Sequence, residues 1–168
     1  MPIQYICCLN KQGVLRLFKV FDHRAFQNID TTFANGGPNM RNNKNHQVNL
    51  GDYLSDVFKL ITTRDHKKQS SFVILNPQTK LIYKRYAGLY FLMGVDFDED
   101  NELMYLTKIH FLVEVLDELF NNNVCELDLV FNFNRVYLYL DEIFQAGELI
   151  ESDKHKIIQR CRYLESLN

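Results

Sequence analysis

Apolar side chains recur at Leu103, Leu106, Ile109, Val113, Leu116 and Phe120, at spacings of three and four, which predicts a helix of about five turns with one apolar stripe. A second set, Tyr105, Leu112 and Leu119, broadens that stripe beyond what packing on one sheet face requires. Upstream, residues 82–95 are dense in aromatic and branched side chains around Gly88, the pattern of two consecutive strands joined by a tight turn. Residues 98–101 form a polar break between the two patterns. The asparagine run 121–123 ends the helix, because asparagine favours turn and left-handed conformations.

The chain opens with a predicted hairpin: an apolar run at 3–9, turn residues at 10–13 and a second strand at 14–20. In the second strand Val14, Arg16, Phe18 and Val20 share a face, so Arg16 stands in an apolar row. Read alone, it is an edge-strand arginine lying along the sheet with its head in water. A helical pattern begins at Asp22, and 34–49 (ANGGPNMRNNKNHQVN) is then polar and rich in asparagine and glycine, a predicted mobile loop. Leu50, Tyr53, Leu54, Val57, Phe58 and Ile61 mark an amphipathic helix ending near Thr63. A strand at 72–75 and a turn containing Pro77 lead into the strand pair. After the long helix come a short helix at 125–130, a longer one at 136–146 stopped by Gly147 as a C-terminal cap, and a last helix to Leu164 capped by Ser152 or Asp153. Two strands, helix, three strands and further helices predict a single α/β (α+β) domain over 1–168: an antiparallel sheet of about five strands with helices on its faces.

Composition narrows the function without choosing it. The 168 residues carry 46% hydrophobic and 24% charged side chains, ordinary for a globular domain, and the net charge of -2 gives no general attraction to nucleic acid or to anionic membrane. Cys7, Cys8, Cys125 and Cys161 form no CxxC pair, and the N-terminal apolar run is too short and interrupted for a secretory signal, so reduced thiols in a cytosolic protein are expected. No segment approaches the roughly 20 apolar residues of a membrane-spanning helix.

Catalytic chemistry finds no foothold. His23, His46, His66, His110 and His155 show no HxxxH or HExxH spacing, and the phosphate-binding and serine-hydrolase motifs GxGxxG, GxxxxGK[ST] and GxSxG are absent. His110 reads as a hydrogen-bonded structural residue on the long helix. Cys125 lies beside Glu126 and Asp128, whose charges would raise a thiol pKa rather than activate it, and reads as a core cysteine. No catalytic residue, metal or cofactor is expected.

Binding is the better class. Val136, Tyr137, Leu138, Tyr139, Leu140, Ile143 and Phe144 exceed what one helix buries against a small sheet. Either the final helix folds back over them, or they belong to a permanent protein interface.

The blocks RYAGLYF at 85–91, NEL at 101–103, FLVEVLDELF at 111–120, NVCELDLVFNF at 123–133 and LDEIFQAGEL at 140–149 occur in the order and at the spacing found in the sigma (small) subunits of the heterotetrameric clathrin-associated adaptor complexes. NKQGVLRL at 10–17 and the closing YLESL extend this resemblance to both ends of the chain. The resemblance implies a longin-like fold and an obligate large adaptin partner, with a second large subunit and a medium (mu) subunit completing the complex. Segment 34–49 departs from the family pattern as an insertion of about 15–20 residues; long surface loops cost little, about 0.6 kcal/mol per doubling of length.

Family members of the endocytic type carry a site for cargo sorting signals of the form acidic-x-x-x-Leu-Leu/Ile. Carried over residue by residue, the resemblance assigns Arg16 to the signal's acidic residue, Ala87, Leu89, Val113, Val124 and Leu129 to the pocket lining, and Asn123 to its polar rim. RYAGLYF, the VDF run, VFNF and the ending at YLESLN most resemble the endocytic branch, which implies the cytosolic face of the plasma membrane and clathrin-coated pits, with clathrin and membrane contacted indirectly. The alternatives are a trans-Golgi or endosomal sigma subunit and a purely structural clamp.

Overall fold

The computed structural model describes residues 2–27, 50–64, 71–99, 101–121 and 123–167. The predicted 34–49 loop lies outside them.

β1 (Ile3–Leu9) is buried along its whole length, which places it inside a sheet rather than at its rim. β2 (Leu15–Val20) returns antiparallel beside it, and a single helical turn, α1 (Arg24–Gln27), follows. Beyond the undescribed segment come α2 (Leu50–Thr62), β3 (Phe72–Asn76), β4 (Thr79–Tyr86) and β5 (Leu89–Asp96). The five strands form one antiparallel sheet in the order β2-β1-β5-β4-β3. Two of its three interior strands, β1 and β5, are buried almost from end to end and are nearly continuously apolar in sequence, as burial on both faces demands. Ala87 and Gly88, at φ 49° and 81°, turn β4 into β5 in the two-residue manner that requires positive φ at both positions.

Side-chain alternation divides the core between two layers. Tyr5, Cys7, Leu9, Leu81, Tyr83 and Leu92 pack with Tyr53, Val57 and Ile61 of α2 on one face. Ile6, Cys8, Leu17, Ile82, Phe91 and Met93 face the C-terminal helices on the other. Tyr5 stands opposite Gly94, where an added Cβ would collide with its ring, so the glycine makes room for a large side chain in mid-sheet. The Tyr5 hydroxyl is hydrogen-bonded to that of Tyr53 at 2.6 Å.

The second layer is built from α3 (Glu102–Leu119), α4 (Glu126–Phe131), α5 (Phe133–Ile143) and α6 (Lys154–Ser166). In α3 the buried side chains are Tyr105, Ile109, Leu112, Val113, Val115 and Leu116, while Leu103 is exposed, so the core-facing arc lies between the two predicted stripes. Asn121, at φ 57°, ends the helix as the asparagine run predicted. The expected Asp153 cap is present, its Oδ1 accepting the backbone N–H groups of His155 and Lys156.

Two expectations need correction. Gly147 does not cap a helix over 136–146. α5 starts earlier and ends at Ile143, and the chain then forms a small hairpin of β6 (Phe144–Gln145) and β7 (Glu148–Leu149). Ala146 and Gly147, at φ 51° and 76°, make the same two-residue turn as Ala87 and Gly88. Cys125 is not in the core: it is exposed at the N-terminus of α4, with its thiol 3.1 Å from Asp128 Oδ2.

The open question about 136–144 is answered within the chain. α6 folds back over α5, and Val136, Tyr139, Leu140, Ile143 and Phe144 share a cluster with Ile157, Ile158 and Cys161. Arg135 pairs with Glu165 at 3.0 Å and Arg160 with Glu142 at 3.2 Å, while Lys154 reaches back to Glu118 of α3 at 3.0 Å. Burial pushes the Cys161 thiol up to about 12, in keeping with an inert core cysteine. The apolar surplus therefore gives no independent evidence for a partner interface.

Candidate functional site

The site is organised around the turn that joins β1 to β2. Asn10 Oδ1 accepts the backbone N–H groups of Gln12 and Val14, both at 2.9 Å, which fixes the turn and orients the side-chain amide. Asn10 Nδ2 then donates to Glu126 Oε1 at 2.8 Å. Arg16, a strand position further on, donates from Nε to the same oxygen at 2.8 Å. Two donors on one carboxylate oxygen, Asn10 first and Arg16 second, hold the Glu126 carboxyl below its ordinary range. Arg16 is thus not simply immersed in water, as an isolated edge-strand arginine would be. It anchors the first residue of α4.

Local chemistry also fixes the approach to α4. Asp117 Oδ1 accepts the Val124 backbone N–H at 2.9 Å, tying the link to α3, and Asp128 Oδ2 accepts the Cys125 backbone N–H at 3.0 Å. These bonds set Val124 and, one helical turn later, Leu129 against the sheet.

Of the residues assigned by resemblance, Leu89, Val113, Val124 and Leu129 belong to one core cluster at 1–4% exposure. They come from β5, α3, the α3–α4 link and α4, so four separate elements meet there. Ala87 and Asn123 are exposed at the surface ends of their elements, and Arg16 is half-buried at the N-terminus of α4. All four are almost fully enclosed; leucine-sized side chains could reach them only if their surroundings moved apart.

Beside Ala87, the Tyr86 ring meets Phe91 edge-on at 6.1 Å, and its hydroxyl lies 3.2 Å from His110 Nδ1. The other ring nitrogen of His110 is 3.1 Å from Glu114. This is the structural histidine that the sequence suggested. Glu126 is the participant that sequence reasoning missed: its partners are 110 and 116 positions away, and no local pattern marks it. Among the described residues, no three His, Cys, Asp or Glu side chains converge as a metal site, and no helix is long and apolar enough to cross a membrane.

Comparison with known proteins agrees with this architecture. The family model described as Clathrin adaptor complex small chain matches residues 2–168. The chain is 45% identical to an AP-2 complex subunit sigma of Saccharomyces cerevisiae over 168 residues, 100% of both proteins. It is 54% identical to the AP-2 complex subunit sigma of Aspergillus fumigatus over 112 residues, 67% of this chain and 76% of that one. An AP-1 complex subunit sigma-1 of Schizosaccharomyces pombe is 35% identical over 94% of this chain and 82% of its own. In three dimensions, a chain from a homology model of the full-length AP-3 complex in a stretched open conformation superposes with a TM-score of 0.64 at 30% identity, covering 98% of this chain and 94% of that one. The expected longin-like arrangement, an antiparallel five-stranded sheet with helices on both faces, is the one observed. With its sequence matched almost from end to end and its fold shared with an adaptor subunit, this chain belongs to the clathrin adaptor complex small-chain family.

Proposed function

We propose that this chain is the small subunit of an endocytic adaptor that reads acidic dileucine signals on cargo tails at the cytosolic face of the plasma membrane. It works as a heterotetramer with a large adaptin, which it stabilises, a second large subunit and a medium subunit. Arg16 receives the acidic residue of the signal; Leu89, Val113, Val124 and Leu129, with Ala87 and Asn123 at the rim, receive the paired leucines. The observation that carries this reading is the Arg16–Glu126 contact, which sets a cation at the first turn of the helix bearing Leu129. A basic group at the mouth of an apolar cluster is the pairing that an acidic dileucine segment requires.

The energetics suit a reversible contact. Moving two leucine-sized side chains from water into an apolar slot gains about 3–6 kcal/mol, while an exposed arginine–carboxylate pair adds about 0.2–1 kcal/mol. Backbone hydrogen bonds help, while ordering a flexible tail costs about 2–5 kcal/mol, so the net contact is weak and readily reversed. Selectivity then comes chiefly from the leucines.

The test is binding of a fluorescent acidic dileucine peptide to this chain co-expressed with its large adaptin partner, beside a copy with both leucines changed to serine. Saturable micromolar binding lost with the serine copy is the expected result, and Arg16→Ala weakens it no more than severalfold. The 1–4% exposure of the four apolar walls favours a second reading, a structural clamp that reads no signal. Absence of binding in an intact complex decides for the clamp.

A further inference from the structure

We infer that Glu126 is an internal competitor for Arg16: it already holds the guanidinium at Nε and offsets its charge, so that an incoming carboxylate must share the cation with it or displace it. This inference rests on the signal-reading function proposed above and adds to it the residue that sets how much the acidic position counts.

Three observations carry it. Among the described residues, the hydrogen bond from Arg16 Nε to Glu126 Oε1, at 2.8 Å, is the only one the guanidinium makes. A carboxylate is thus already seated on the side chain assigned to a carboxylate ligand. The second is Asn10, which is 4% exposed. With its Oδ1 engaged by two backbone N–H groups, its Nδ2 is a preset donor that keeps Glu126 within reach of Arg16. The third is the accessibility of the pair, whose side chains are 29% and 37% exposed. Glu126 can leave for water without becoming an unpaired buried charge, so replacing it exchanges one partly hydrated carboxylate for another.

Such an exchange is nearly balanced. The acidic residue of a signal then adds little to binding in the native chain, although the same residue would gain a full charge-assisted hydrogen bond if Arg16 stood free. Glu126 also repels any carboxylate that approaches while it is still in place, which further reduces what the acidic position adds.

The experiment uses the chain co-expressed with its large adaptin partner and two fluorescent peptides, an acidic dileucine sequence and the same sequence with glutamine at the acidic position. Both are titrated against the native complex and against Glu126→Gln, which keeps the shape of the side chain and an acceptor for Asn10 while removing the charge. The acidic peptide binds Glu126→Gln about two- to fivefold more tightly than the native complex, the span of an exposed ion pair, and the glutamine peptide binds both forms equally. Adding Arg16→Ala to Glu126→Gln abolishes the gain. A gain of equal size for both peptides would mean that Glu126 acts on the apolar slot, and no gain, or a loss, that it orients Arg16; each overturns the inference and leaves signal reading intact. If neither peptide binds either form of a complex shown to be intact, signal reading fails and the inference with it. Should Glu126→Gln not co-purify, Glu126→Asp, which keeps the charge but shortens the reach, takes its place with the same expected direction.

Discussion

The two edges of the sheet are treated very differently. At one edge, the backbone N–H and C=O of Phe18 in β2 are both bonded to the Tyr137 hydroxyl of α5, at 3.0 and 2.9 Å. Lys19 pairs with Asp141 at 2.9 Å and Arg16 with Glu126, so α4 and α5 seal the strand. At the other edge, β3 is paired with β4 on one side. Among the described residues, the side-chain hydrogen bond that reaches its backbone from outside the sheet is a long one, from the Arg64 guanidinium to the Phe72 carbonyl at 3.4 Å. Ile74, in the middle of β3, is 58% exposed. An unpaired edge invites another strand, and β3 limits that risk by being short whereas β2 is capped by side chains. Tyr137 serves as an artificial neighbouring strand, donating and accepting where a sixth strand would. The candidate site lies at the sealed edge, where four elements already hold one another in place.

Substitutions sharpen this contrast. The largest expected effect is at Leu17 on β2, which is 2% exposed and faces the helical layer. Leu17→Ala leaves a cavity that the sealed edge cannot close by relaxation, and costs about 2–5 kcal/mol in urea-induced unfolding. A cost below about 1 kcal/mol would mean that β2 moves freely against α4 and α5. Next is Tyr137→Phe, which keeps the ring but leaves the Phe18 N–H and C=O without their partner. The expected loss is about 1–3 kcal/mol, read from the urea midpoint at an unchanged slope.

How far these features could be read from the sequence depends on how local their causes are. The apolar run of β1, the helical period of α3, the left-handed Asn121 and the Asp153 cap arise from near neighbours along the chain, and the sequence pattern shows them. The Ala–Gly pair occurs at two turns, yet 87–88 is legible as one and 146–147 is not, because the apolar run before Gly147 has helical rather than alternating spacing. Cys125 reads in the sequence as a core cysteine because the carboxylates beside it argue against an activated thiol, yet as the residue before α4 it is exposed. The identities of the site residues come from family resemblance; their closure at 1–4% exposure depends on how α3, α4 and β5 pack, which no window of sequence reports. The Arg16–Glu126 contact spans 110 positions and is a product of the fold alone.

The sealed edge should also be acid-sensitive. The Glu126 carboxyl is held below its usual range in the folded chain by Asn10 and Arg16, and returns to that range on unfolding. A depressed carboxyl contributes stability that is fully present above the unfolded value and is lost as pH falls through the folded one. The native chain should therefore lose its stability advantage over Glu126→Gln as pH is lowered through the carboxylate range. Thermal melting of both forms across a pH series checks this. A difference that stays constant with pH would mean that the contact holds α4 by shape, not by charge.

The smallest effect is expected at the open edge. Ile74 stands opposite Lys80 in the β3–β4 register, and Lys80 is nearly buried, its Nζ donating to Glu102 Oε1 at 2.8 Å. A lysine at 74 would set a second cation across from it, so like charges would confound the result. Threonine avoids this: it keeps the branched Cβ that suits a strand and removes most of the exposed apolar surface. Ile74→Thr should change unfolding free energy by no more than about 0.5 kcal/mol, since little burial is lost. What should change is self-association on warming below the melting point, followed by light scattering, because the edge keeps its backbone groups but loses the apolar side chain that would hold a second strand in place. If Ile74→Thr instead destabilises the chain as strongly as Tyr137→Phe, β3 is covered in solution and the two edges are alike.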